Sequence, residues 1–423
     1  MIMAMMKSSN TAWLGDIPVE WDVAQIGNYY ELRNEKVSDY DFEPLSVTMK
    51  GIVPQLATAA KSDDHSNRKL VKKGDFVINS RSDRRGSCGI SPLNGSVSLI
   101  NIVMEPRGEM NPQYYNWLFH TEQFADEFYK WGHGIVDDLW TTRWQEMKKI
   151  LIVAPSPDEQ QTIADYLDKT CSKIDEIIAE AKASIDEYKE LKQYVIFEAV
   201  TKGLDKNVEF IDSGDEWLGK YPKSYNIGQL SMLSNIVRGG SPRPAGDPRY
   251  YGGNISFMRI SDITRDDNIY VISCENTITE EGLTRTRMIP PNTLLLTNSG
   301  ATLGVPKINT FKTAFNDGIA AFLDLDKRLN IVYVYFFLKA RTSYFLECAS
   351  MGMGQPNLNT DIIGRTKIVF PTLVEQQKIV SYLEDRCGKL NSLIAEKESL
   401  INDLEAYKKS LIYEVVTGKR RVV

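Results

Sequence analysis

The feature that most constrains this chain is that it contains itself twice. Trp13-Leu14-Gly15-Asp16-Ile17-Pro18 returns 204 positions later as Trp217-Leu218-Gly219-Lys220-Tyr221-Pro222. Trp21, Val23, Gln25 and Ile26 are echoed by Tyr225, Ile227, Gln229 and Leu230. Glu159-Gln160-Gln161 returns 216 positions later as Glu375-Gln376-Gln377, and residues 159–201 and 375–417 share 17 of 43 aligned positions without a gap. A duplication fixes the architecture first, because whatever one half folds into the other must fold into as well. The order is variable, matching, variable, matching, and the second variable segment is 12 residues longer than the first. At 423 residues the chain exceeds one ordinary domain.

Each matching block reads as one long helix. Leu167, Thr170, Ile174, Ile177, Ala181, Ile185, Tyr188, Leu191 and Val195 recur at threes and fours in the first; Leu383, Leu390, Leu393, Ile401, Leu404, Tyr407 and Leu411 mark the second. That is the seam of a helix pair or coiled coil. Prolines sit just before each block (Pro155, Pro157, Pro371), and Gly203 and Gly418 end them. About 40 residues at about 1.5 Å each make a rod of roughly 60 Å. Two matching copies in one chain predict an intramolecular antiparallel pair. The variable segments hold most of the proline and glycine, with short β-rich runs at 75–78, 97–103, 150–153, 293–297, 320–325 and 367–370 and helical patterns at 112–131 and 330–349. The expected fold is α/β (α+β): two mixed α/β domains separated by two long antiparallel, coiled-coil-like helices, with a pseudo-two-fold internal repeat. The boundaries are 1–158, 159–215, 216–374 and 375–423.

A net charge of −6 is unpromising for a nucleic-acid binder until it is divided. The four segments carry −4, −7, +4 and +1, and a local basic surface is what DNA binding needs. No run approaches the roughly 18 apolar residues of a membrane span, which argues against a membrane protein. Residues 1–7 lack the basic start and apolar core of a signal peptide. Cys88, Cys171, Cys274, Cys348 and Cys387 form no CxxC pair and read as reduced thiols of a cytoplasmic protein.

Several catalytic signatures nearly form and then fail. Gly214 to Lys220 has phosphate-loop spacing, but Tyr221 stands where a Mg²⁺-holding Ser or Thr belongs, and two acids occupy the phosphate position. Asn111-Pro112-Gln113-Tyr114 resembles the Asn-Pro-Pro-Tyr motif of adenine methyltransferases without its second proline; it reads better as a helix start, with Asn111 as cap and Pro112 in the first turn. Asp158 with Glu187 and Lys189 mimics a nuclease set, yet the late residues lie on the coil and Leu373 breaks the pattern in the second repeat. His65, His120 and His133 make no zinc-ligand spacing.

What survives is a basic and polar cluster in each variable segment. The first holds Lys50, Lys72 and Lys73, then Asn79-Ser80-Arg81-Ser82-Asp83-Arg84-Arg85 after a strand. The second holds Arg238, Arg243, Arg259 and the run Asn298-Ser299-Gly300-Ala301-Thr302. The Asn-Ser pair occurs in both, and Lys50 is matched with Arg259. Arginine can read guanine bidentately, asparagine suits adenine, and Ser or Thr suits phosphate. The sites expected to touch DNA are therefore Lys50, Lys72, Lys73, Asn79, Ser80, Arg81, Arg84, Arg85, Arg238, Arg243, Arg259, Asn298, Ser299 and Thr302.

On these residues the chain resembles the specificity subunits of type I restriction–modification systems. The resemblance covers nearly the whole length. It is strongest in Pro-x-x-x-Glu-Gln-Gln-x-Ile-x-x-Tyr-Leu at 155–167 and 371–383, in the coils that follow, and in Trp-Leu-Gly opening both halves. Gly239-Gly240-Ser241-Pro242 through Ile260-Ser261-Asp262, and Gly352-Met353-Gly354-Gln355-Pro356-Asn357-Leu358, resemble the opening and close of such target recognition domains. The first half lacks that opening and has Gly132-His133-Gly134 at its close. The resemblance implies a non-catalytic subunit that binds a bipartite DNA target, one half-site per domain. Separate modification subunits would methylate adenine and a restriction subunit would translocate and cut. S-adenosylmethionine, ATP and Mg would belong to those partners, and none to this chain. The rival readings are a coiled-coil adaptor that binds no DNA and an enzyme acting alone.

Overall fold

In the computed structural model the two matching blocks are single helices, Pro157–Lys202 and Leu373–Val416. The structure describes residues 5–58, 65–134, 140–350 and 357–422, with the backbone alone for 348–350. Both helices are unbroken because only Gly388 lies inside either, at a cost of roughly 1 kcal/mol relative to alanine. Gly203 and Gly418 stop them in the left-handed region, at φ +73° and +71°. The buried seam of the first helix is Leu167, Cys171, Ile174, Ile178, Ala181 and Ile185. Its alternating steps of four and three are a heptad stripe. Ile177 and Leu191, expected in that seam, are exposed, as are Leu393 and Tyr407 of the second helix. Each lies off the stripe.

The chain divides into two compact units, Met1–Lys182 with Glu398–Val423, and Ala183–Lys397. Each unit thus holds one variable segment, part of one long helix and part of the other. Within the first unit the helical segments run antiparallel: Lys408 bonds Asp175 at 2.6 Å while Lys182 stands 4.0 Å from Glu405. Within the second, Lys192 Nζ donates to Asn391 Oδ1 at 2.7 Å, and Ile196 and Val200 share a core with Ile379, Leu383 and Cys387.

The variable segments are mixed α/β domains of the same design. The central sheet of the first runs Cys88–Ile90, Phe76–Asn79, Asn101–Pro106, Tyr30–Leu32 in spatial order. That of the second runs Pro306–Asn309, Leu294–Thr297, Ile319–Leu323, Asn235–Arg238, with Tyr270–Val271 added beyond Pro306–Asn309. Helices Pro112–Phe119 and Glu122–Lys130 cover one sheet; Ile331–Ala340 and Thr342–Ser350 occupy the matching chain positions in the other. Both helical patterns, read from the sequence as single, are thus broken once. In the first domain the break falls where the Thr121 hydroxyl caps a new helix by accepting from Phe124 N at 3.2 Å. The apolar run 97–103 is likewise two strands, Gly95–Val97 and Asn101–Pro106, divided by a turn.

The repeated Glu-Gln-Gln motif fastens each long helix to its domain. Gln160 is buried; its amide donates to Pro155 O at 2.8 Å and accepts from Asn111 N at 2.8 Å. Gln161 Oε1 accepts from Asn111 Nδ2, and Glu159 accepts from Trp21 Nε1 at 2.9 Å. In the second unit Gln376 donates to Pro371 O and Arg328 O and accepts from Asn330 N, Gln377 accepts from Asn330 Nδ2, and Glu375 accepts from Tyr225 OH at 2.6 Å. Asn111 and Asn330 are also helix caps, each side chain accepting two backbone N–H groups one turn in. Asn111-Pro112 is therefore a helix start, as its sequence suggests. Tyr114 OH donates to Val416 O and Tyr333 OH to Val200 O, so each domain holds the C-terminal end of the other repeat's helix.

Candidate nucleic-acid interface

In the first domain the strand Phe76–Asn79 delivers the basic loop, and its two opening polar residues turn inward. Asn79 is buried and its Oδ1 accepts from Arg81 N at 3.0 Å, an Asx turn that sets the loop's course. The Ser80 hydroxyl donates to Ile100 O, and Ser80 O accepts from Thr142 N at 3.0 Å. The loop therefore presents arginines. Arg84 is exposed, with Asp83 3.6 Å away; Arg85 is paired with Asp126; Arg81 is half-buried and bridges Thr141 through its backbone. Lys50 lies exposed at the tip of the hairpin formed by Leu45–Thr48 and Gly51–Pro54. That tip adjoins the loop, since a Cβ on Gly86 would stand 4.0 Å from Met49 Cε. Lys72 and Lys73 are exposed too, but in the turn before Phe76–Asn79. They lie at the other end of a four-residue strand, about 13 Å long.

In the second domain the expected residues gather around the turn at 316–318. Arg238 Nε donates to Asp317 O, Ser241 Oγ donates to Asp317 Oδ1 at 2.6 Å, and Arg243 Nη2 stands 4.0 Å from Asp317 Oδ2. Arg259 follows Met258, whose carbonyl accepts from Asn316 N at 3.0 Å, and its guanidinium lies 5.8 Å from the Tyr251 ring centre. Asn298 N donates to Gly318 O at 2.9 Å. Its side-chain amide is buried with neither polar atom paired, so it presents no polar group at the surface. Ser299 is bridged to Asn357, and Thr302 is exposed. Of the closing stretch 352–358, residues 352–356 lie outside the described residues.

Two equivalences drawn from the sequence are corrected by register. Asn79 faces Asn101 across the sheet as Thr297 faces Ile319, and Ile78 faces Cys88 as Leu296 faces Pro306. Ser80 thus corresponds to Asn298 and Arg81 to Ser299, and the shared Asn-Ser letters are one residue out of step. A one-residue slip along a strand reverses the face. Lys50 is not the counterpart of Arg259: Pro44 meets Ser96 in parallel as Phe257 meets Ala314, which brings Ser46 level with Arg259.

Sequence reasoning missed why Gly239-Gly240 opens the second domain. A Cβ on Gly239 would lie 2.3 Å from Asn316 O, and one on Gly240 would lie 2.1 Å from Arg285 O. The pair lets the Arg243 segment pass between those backbones, beside Arg285 and Arg287, two exposed arginines also unnoticed in the sequence. Gly240→Ala should push this segment off its seat and speed amide hydrogen exchange around Gly240 while circular dichroism still reports a folded chain. Exchange equal to that of the unaltered protein would contradict it.

Among the described residues no group of three or more His, Cys, Asp or Glu is placed to hold a metal ion, and no helix is long and apolar enough to cross a membrane. Cys88, Cys171 and Cys387 are buried free thiols, and burial pushes Cys171 up to about 11.

Residues 222–403 match the family model described as the type I restriction modification DNA specificity domain. The chain is 29% identical over 174 residues to the type I restriction enzyme MjaIX specificity subunit of Methanocaldococcus jannaschii, a match covering 40% of each. It is 22% identical over 217 residues to the HindI specificity subunit of Haemophilus influenzae, covering 50% of this chain and 45% of that one. The matches therefore span less than half the length of these relatives. Among solved structures, a chain from a study of assembly and conformational transition of the type I R-M system matches with a TM-score of 0.74, at 14% identity, over 96% of this chain and 99% of that one. The HsdS subunit from Thermoanaerobacter tengcongensis matches at 0.55, at 16% identity, over 96% and 98%. At such identities the likeness is one of fold. The chain shares the fold of these two solved structures, and its residues 222–403 match the type I restriction modification DNA specificity domain.

Proposed function

We propose that this chain is the non-catalytic DNA-reading subunit of a type I restriction–modification complex. It recognises a bipartite duplex target, one half-site per variable domain, within boundaries near 1–158 and 216–374. Modification subunits, which bind S-adenosylmethionine, methylate adenine at that target; a restriction subunit, using ATP and Mg, translocates and cuts. The complex works in the cytoplasm, where its DNA is. The observation that carries this reading is that exposed arginines gather beside the same tight turn in both sister domains, residues 98–101 in the first and 316–319 in the second. In the first domain Arg81 and Arg84 reach solvent, and in the second Arg238 and Arg243 do. Arginines so placed contact phosphates and read base edges in the major groove.

Replacing Arg81 and Arg84 by alanine tests it. Binding should weaken by about 1–3 kcal/mol for each base edge that an arginine no longer reads, and the salt dependence should flatten where a phosphate is no longer neutralised. The damage should fall on one half-site, measured with duplexes altered in one half at a time. Equal weakening across both halves would refute the assignment. Absence of any DNA binding by the assembled complex at low salt would favour the coiled-coil adaptor.

A further inference from the structure

The loop at 79–87 in the first domain and its register counterpart at 297–304 in the second each stand beside the same tight turn. In the first domain Asn101 N donates to Ser98 O at 3.0 Å, closing the turn between Gly95–Val97 and Asn101–Pro106. In the second, Ile319 N donates to Asn316 O at 3.2 Å, closing the turn between Thr313–Phe315 and Ile319–Leu323. The register equates the two, because Asn101 faces Asn79 as Ile319 faces Thr297. Each is tied to its loop by the same backbone bond: Ser80 N to Ile100 O at 3.3 Å, and Asn298 N to Gly318 O at 2.9 Å.

The two turns present opposite chemistry. In the first domain Leu99 and Ile100 are 39% and 37% exposed, an adjacent apolar pair at a turn tip. Turn geometry does not ask for them, since such positions favour Gly, Asn, Asp, Ser and Pro. In the second domain the same places are Asp317 and Gly318. An isoleucine at Gly318 would force Ile260 to move, because a Cβ there would stand 2.3 Å from Ile260 Cδ1 and 3.0 Å from Ser299 Oγ. The Asp317 carboxylate is 46% exposed, with Ser241 Oγ donating to one oxygen and Arg243 near the other. One backbone position, equally close to the loop in both domains, thus carries an apolar side chain in one and an oriented hydrogen-bond acceptor in the other.

Base edges in the major groove divide along the same line. The thymine methyl takes apolar contact, whereas the cytosine amino group donates and suits a carboxylate. We propose that Leu99 and Asp317 are specificity-determining residues: Leu99, with Ile100 beside it, packs on a thymine methyl in one half-site, and Asp317 accepts from a cytosine amino group in the other. The inference rests on the reading of this chain as a DNA-binding specificity subunit.

The test is selection and sequencing of randomised duplexes bound by the chain assembled with its modification subunits. Leu99→Ala should lower thymine selection at one position roughly tenfold, and Leu99→Asp should exchange it for cytosine. Asp317→Leu should do the reverse in the other half-site. Asp317→Asn keeps an acceptor for Ser241 and gains a donor, so it should move the choice from cytosine towards adenine. The untouched half-site reports in each case that the variant folds and binds. Variants that keep every base preference, while the unaltered chain selects a bipartite target, overturn this inference and leave DNA reading intact. An unaltered complex that selects no sequence overturns DNA reading, and this inference with it.

Discussion

If the proposed function holds, exchanging residues 216–374 for the equivalent segment of a type I specificity subunit is expected to change one half-site completely and leave the other as it was. The expectation follows from what crosses the junctions. Most of the core lies within the exchanged segment, where Leu294, Leu296, Ile308, Phe322, Tyr333, Phe337 and Ile368 are buried together. What this segment must supply to the retained helices is an apolar face for Ile196, Val200, Ile379 and Leu383 and a short set of hydrogen bonds. Tyr225 donates to Glu375, Asn330 engages Gln376 and Gln377, and Tyr333 donates to Val200 O. The first domain meets the same demand with Trp21, Asn111 and Tyr114. A donor segment with an indole or phenol at the first place, asparagine at the second, tyrosine at the third and a matching apolar face will dock whatever its loops read. Base-reading loops lie on connections supported by a rigid scaffold, where they vary without disturbing the core. The measurement is a methylation map of the hybrid assembled with its modification subunits. A hybrid that assembles and methylates yet keeps both original half-sites would show that the variable domains are not the readers.

How much of this was legible in the sequence differs by kind of residue. The two long helices could be read because the periodicity runs for some forty residues and proline and glycine sit outside it. The seam was misread by one place at Ile177: Ile177 and Ile178 are both apolar, and the step pattern admits either until the facing helix selects Ile178. The turn at 98–101 was hidden because Leu99 and Ile100 fill it with residues that elsewhere build strands. Its apolar content, the source of the error, is also what makes it informative. The Asn-Ser pair misled for another reason. Identical letters suggest identical places, but equivalence in a sheet is fixed by cross-strand partners, and Asn79 stands opposite Asn101 as Thr297 stands opposite Ile319. The arginines were legible as charge. Their organisation around Asp317 was not, because it depends on Gly239 and Gly240 admitting two backbones that are distant in sequence.

Gln376→Leu should destabilise the unit that contains it by about 3–5 kcal/mol. Gln376 is fully buried and its amide satisfies three backbone groups, the carbonyls of Pro371 and Arg328 and the N–H of Asn330. Leucine fills the space but pairs with none of them, and each backbone group stranded in the interior costs about 1–3 kcal/mol. Among the described residues Gln160 serves two backbone groups, Pro155 O and Asn111 N, so Gln160→Leu should cost less, about 2–4 kcal/mol, and should act on the other unit. Gln161 and Gln377 are the controls. Each accepts one hydrogen bond from an asparagine side chain in a solvent-exposed setting, and water can replace that bond, so leucine there should cost under about 1 kcal/mol. Denaturant titration of the four variants should therefore rank Gln376 first, Gln160 second and the two exposed glutamines last. If Gln161→Leu costs as much as Gln160→Leu, or Gln376→Leu falls within about 1 kcal/mol of the unaltered protein, the motif is not a structural clasp. The predicted ranking would mean that the most legible repeat in the chain holds each variable domain to its helix.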